Sequence, residues 1–140
     1  MKMIFPLMDG SDSAETESMW VEPVGNDKYV VLNSPFEVFG INHRDVVRGG
    51  MLDGVLHFVS VAERSGRSTY RLIRTGTDVA FSRSWDQLAK LGCTYEEGMG
   101  RYAVDVPSEA DIYLVYETLE RGQAEGVWDF EEAAVGHTLG

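Results

Sequence analysis

The residues of this 140-residue chain that could do chemistry are three histidines, one cysteine, and uneven runs of carboxylates and arginines. A metal centre needs convergent His, Cys or carboxylate ligands. His43, His57 and His137 are far apart and none has a ligand partner three or four residues on, so no metal and no cofactor are expected. Cys93 follows Leu91-Gly92 at an expected helix-to-strand junction, and Glu96 and Glu97 oppose the positive environment that activates a thiolate. It reads as a core cysteine, and no catalytic residue is assigned.

Asp129 and Glu131 stand two apart on an expected strand, so they share one face, opposite Trp128 and Phe130. Paired carboxylates of this kind serve acid–base chemistry when one holds a raised pKa. A charged strand also discourages edge-to-edge pairing, which is the plainer use. Gly98-Met99-Gly100 lacks the context of a phosphate-binding loop. Arg64, Arg67 and Arg71, with Tyr70 for stacking, could meet RNA phosphates and bases, and this stands third among the functional readings.

Charge organises these residues. From Glu96 to Gly140 there are eleven acids against Arg101 and Arg121, which carries most of the net charge of −11. Between Arg44 and Lys90 eight bases face five acids. An acidic end opposes nucleic acid and favours a cationic partner. Glu96, Glu97, Glu117, Glu120, Asp129 and Glu131 are the expected partner-binding residues. The partner would be a basic protein, such as a bacterial toxin covered by an immunity or inhibitor protein. The alternative is an enzyme or ligand-binding regulator using a cleft between two halves of the chain, with His43, Asp45 and Arg71 at the site. Asn42 and Asp45 also suit Asx-type turn hydrogen bonds.

A single cysteine excludes an internal disulfide, and no apolar run approaches the roughly 18 residues of a membrane span. The start, MKMIFPLM, is a poor signal peptide, so a cytoplasmic setting without membrane contact is expected. Residues 1–18 read as a disordered acidic leader, because 9–18 lack large apolar side chains.

The elements that must position these groups follow from local pattern. Trp20–Val24 and Tyr29–Leu32 read as a hairpin across Gly25-Asn26-Asp27-Lys28, followed by short strands at Phe36–Ile41 and Asp45–Arg48. Val55–Glu63 and Ser68–Arg74 read as a hairpin turning at Ser65-Gly66. A capping box at Ser84–Gln87 and a stop at Gly92 predict a helix, and Cys93–Glu97 with Arg101–Val106 a hairpin. Pro107 and Ser108 open a second helix, with Ile112, Val115, Tyr116 and Leu119 as its apolar stripe and Gly122 at its end. Gly126–Glu131 reads as a last strand. The expectation is an α+β protein: a small antiparallel sheet or partial barrel over 19–67, a ferredoxin-like split βαβ over 68–133 sharing its core, and a tail over 134–140.

The segments MWVEPVG at 19–25, LNSPF at 32–36, ERSGRSTYR at 63–71, LGCTYE at 91–96, YAVDVP at 102–107 and EGVWDFEE at 125–132 carry a resemblance. Over residues 19–133 the chain resembles the small bacterial domain-of-unknown-function family 4265. The resemblance implies a small cytosolic protein and carries over no catalytic residue.

Overall fold

The computed structural model describes residues 1–7 and 15–139, which form nine strands and two helices in an α+β arrangement. β1 (Lys2–Pro6), β2 (Thr16–Gly25), β3 (Lys28–Val31), β4 (Val46–Leu52) and β5 (Val55–Glu63) close into a barrel. Neighbours are antiparallel, and a parallel bridge from Ile4 on β1 to His57 on β5 closes the ring. Met3, Phe5, Met19, Val21, Val31, Val47 and Leu56 fill the interior. Gly49 belongs to that packing, since a Cβ there would lie 2.5 Å from the Met3 methyl.

The expected leader is therefore corrected where the structure describes it. Met3 and Phe5 alternate with outward residues, and that two-residue period makes the start of the chain a barrel stave. Thr16–Ser18 already belong to β2, and the leader's residues 8–14 lie outside the described residues. The short strands expected at Phe36–Ile41 and Asp45–Arg48 also differ. Residues 32–45 form an irregular connector, and one longer strand, β4, starts at Val46.

The second sheet contains β6 (Ser68–Arg74), β7 (Thr94–Gly98), β8 (Arg101–Val106) and β9 (Trp128–Val135), in the order β7-β8-β6-β9 and antiparallel throughout. The bounds of β5 and β6 match the expectation, but the two strands do not pair. β6 leaves the barrel for the centre of the second sheet, so Ser65-Gly66 is a crossover and not a hairpin turn.

Two helices cross between its strands: α1 (Asp78–Lys90) after β6 and α2 (Ile112–Ala124) after β8. Their observed caps replace the expected starts at Ser84 and at Ser108. The Thr77 hydroxyl accepts from Ala80 N, and the Asp111 carboxylate accepts from Tyr113 N and Leu114 N. Ile112, Val115 and Leu119 are buried as the stripe predicts, while Tyr116 is 37 % exposed. α2 also runs past Gly122 to Ala124. Tyr70, Leu72, Val104, Val106 and Trp128 face the helices and make the second core. No helix among the described residues is long and apolar enough to cross a membrane.

Because strand side chains alternate, Thr69 and Arg71 of β6 and Ala103 and Asp105 of β8 project to the opposite face. The connector covers part of it, so these four residues are buried although no helix lies over them. That cover brings the two halves together and builds the site.

Candidate functional site: the cleft beneath the connector

The connector is irregular, and its backbone donors are met by side chains. Glu17 on β2 takes three: Phe36 N at 2.7 Å, Glu37 N at 3.0 Å and Val38 N at 2.9 Å. Glu96 on β7 accepts from Ser34 N at 2.6 Å. Asp45, fully buried, accepts from Asn42 N and Ser65 N at 2.9 and 2.8 Å. This is the turn role expected of Asp45, extended to a second segment. Thr69 donates to Asn42 Oδ1 at 2.6 Å. Gly40 N donates to Ala133 O, which ties the connector to β9.

Arg71 is the centre of the resulting wall. It is only 2 % exposed; its Nε donates to Glu131 at 2.8 Å and its Nη1 to Val38 O at 3.0 Å. The Phe39 ring stacks on the guanidinium, 4.5 Å from ring centroid to Cζ. Its Nη2 has no hydrogen-bond partner among the described residues. Beside it, Arg101 donates to Phe36 O at 3.0 Å.

These residues enclose a cleft of about 380 Å³. Glu37 and Phe39 of the connector form one side, Arg71 and Ile73 of β6 with Arg101 the floor, and Asp129, Phe130 and Glu131 of β9 the other side. Phe39 and Ile73 are 60 % and 51 % exposed, an apolar surface among charges. The Glu37 and Asp129 carboxylates have no ion-pair partner among the described residues.

The six expected partner-binding acids do not share one surface. Asp129 and Glu131 meet at the cleft. Glu96 and Glu97 lie on β7, at the other edge of the sheet. Glu117 and Glu120 are exposed on α2, where Glu117 pairs with Arg121. Glu37, from the first third of the chain, was not expected at this site. Its place depends on the Glu17 contacts, which no local pattern announces.

The expected trio of His43, Asp45 and Arg71 separates as well. His43 Nδ1 lies 2.9 Å from Asp105 Oδ2, which also accepts from Arg67 at 2.8 Å. Only Arg71 of the three lines the cleft. Asp105 Oδ1 is buried without a partner among the described residues. The RNA-reading residues are committed elsewhere: Arg64 to Gly40 O and Asp45, Arg67 to Asp105, Arg71 to Glu131, with Tyr70 buried in the core. A buried ring cannot stack on a base.

Cys93 is a buried core residue, as expected. Burial, with the Asp105 charge, pushes the Cys93 thiol up to about 12. His137, expected in the tail, is held by Ser68 Oγ at 2.5 Å and Pro107 O at 2.8 Å. That Ser–His contact is a tether, because Ser68 is fully buried and its hydroxyl also accepts from Gly136 N. Among the described residues no three His, Cys, Asp or Glu side chains gather to hold a metal ion.

A barrel joined to a helix-backed antiparallel sheet, with a cleft under the connector, defines the class. The chain belongs to the family described as domain of unknown function (DUF4265), whose model matches residues 17–130. Among solved structures it is similar to a hypothetical protein from Neisseria gonorrhoeae, with a TM-score of 0.83 at 14 % identity. The match covers 98 % of this chain and 96 % of that one, and at this identity it concerns the fold alone. The comparison with curated proteins finds no match.

Proposed function

We propose that the chain is a protein-binding module without catalysis of its own, which seats a basic segment of a partner in the cleft beneath the connector. An immunity or inhibitor protein covering a basic surface of a bacterial toxin is the form that fits. The observation behind this reading is the convergence of Glu37, Asp129 and Glu131 around exposed Phe39 and Ile73. Carboxylates select and steer a cationic partner, and a desolvated aromatic anchor supplies affinity. The binding surface is thus narrower than the acidic end as a whole. A cytoplasmic setting accords with the buried free cysteine.

We read the second half as a ferredoxin-like split βαβ. Its order of strand, helix, strand, strand, helix, strand and its sheet order β7-β8-β6-β9 support that assignment. A ligand-binding regulator acting through the same cleft is the second functional reading, favoured by the unpartnered Nη2 of Arg71.

The first reading is tested by capturing partners with the native chain, a Glu37→Gln/Asp129→Asn variant and a Glu117→Gln/Glu120→Gln variant. The cleft pair is expected to weaken capture by about tenfold or more, and the helix pair to leave it near native. Equal loss in both variants, or none in the cleft pair, contradicts the reading.

A further inference from the structure

The cleft's charges constrain its occupant further, on the assumption that this cleft is the binding site. Two arginines and three carboxylates line it, an excess of one negative charge. A ligand that is only anionic would add to that excess and leave Glu37 and Asp129 facing it. A ligand that is only cationic would pair with those carboxylates but leave Arg71 Nη2 as a buried charged donor without an acceptor, the costlier fault. An occupant carrying both charges meets both demands. Its anion meets the arginine side, where the planar guanidinium suits a carboxylate. Its cation meets Glu37 and Asp129. Its carbon chain lies on Phe39 and Ile73, as the stems of long cationic side chains do on apolar surface.

Phe39 borders the arginine side of the cleft: its ring is 60 % exposed and stacks on a guanidinium that is 2 % exposed. A volume of about 380 Å³ lies at the low end for small-ligand sites and holds one or two residues, not a folded element.

We propose that this cleft recognises a carboxylate joined by a short apolar stem to a cation, as presented by a C-terminal lysine or arginine or by the free basic amino acid. The carboxylate goes to Arg71 and Arg101, and the cation to Glu37 and Asp129.

The experiment is a titration of the full chain by calorimetry and amide NMR with four probes. These are acetyl-Ala-Ala-Lys as the free acid, its C-terminal amide, the free acid with norleucine in place of lysine, and free L-lysine. The free-acid lysine peptide is expected to bind, with shifts at Glu37, Phe39, Ile73 and Asp129. The amide and the norleucine peptide should each bind at least about tenfold more weakly, since each lacks one charge-assisted contact. Free lysine binding as well as the peptide assigns the site to the amino acid; binding tenfold weaker assigns it to a chain terminus. Arg101→Gln and Asp129→Asn should each weaken the free-acid peptide by about tenfold. Phe39→Ala, an exposed site that should fold, should move the shifts at Arg71. Arg71→Met would also remove its bonds to Glu131 and Val38 O and its stack on Phe39, so Arg101→Gln carries the arginine test.

Equal binding of acid and amide overturns the proposal, as does binding by no probe or shifts confined to other surfaces. In each of those cases the partner reading above still stands if capture depends on Glu37 and Asp129. Peptide binding with capture indifferent to those residues removes that reading and leaves this one.

Discussion

Gly122 stands inside α2, where alanine would ordinarily raise helix stability by up to about 1 kcal/mol. Here a Cβ would lie 2.4–2.6 Å from the Trp128 indole, which is fully buried and donates from Nε1 to Leu119 O. Overpacking of that kind costs about 1–3 kcal/mol, more than the propensity gain. Gly122→Ala should therefore lower stability by ~1 kcal/mol, read from the urea midpoint, and an unchanged midpoint would show that the indole can yield. Two buried groups set a pH dependence. Cys93 is pushed up to about 12 by burial and then by Asp105, and Tyr70 up to about 12 by burial and then by Glu132. Both are neutral while protonated, and the unfolded chain loses these protons at their usual values of 9.0 and 10.0. Over that interval the unfolded state holds fewer protons, so their contribution is full below about pH 9 and is lost as pH rises towards 12. The urea midpoint should fall between pH 9 and 12; a rising midpoint would contradict the burial of these two groups.

At the scale of elements, the connector shows what was legible in the sequence and what was not. β5, β6 and the β7–β8 hairpin stand at or within a residue of their expected bounds, because alternation and turn residues are local signals. Ile112, Val115 and Leu119 mark the buried side of α2 for the same reason. The caps were misplaced: Thr77 and Asp111 act where Ser84 and Ser108 were expected, since a helix start depends on where the preceding strand releases the chain. The membership of β1 was illegible, because a stave is recognised by its partners, and Ile4 meets His57 across more than fifty residues. The site was half legible. Asp129, Glu131 and Arg71 were singled out, but their meeting with Glu37 and Phe39 depends on Glu17, a side chain on another element. Glu17→Gln keeps the shape but cannot accept from Phe36, Glu37 and Val38 together with two oxygens. We expect a loss of about 1–3 kcal/mol. Faster amide exchange should be confined to residues 36–38 and their neighbours, and unchanged exchange there would show that the connector is held by other contacts.

For the whole molecule, the negative charge is spread over the sheet's two edges and α2, so it sets a general field and does not define a face. Such a field attracts cationic partners over long range and is screened by salt, with a Debye length of about 8 Å at physiological ionic strength. The cleft differs because there the carboxylates lie beside an exposed aromatic ring and a buried arginine. The most direct test places a photo-crosslinking phenylalanine analogue at Phe39 and, separately, at Val79, an equally exposed residue on α1. Both chains are illuminated in the producing cell at native abundance. A single partner joined at position 39, and absent from position 79 and from position 39 carrying Asp129→Asn, is the predicted result. Crosslinks to one partner from position 79 alone, or from both positions regardless of Asp129, would contradict the assignment of the cleft as the binding site.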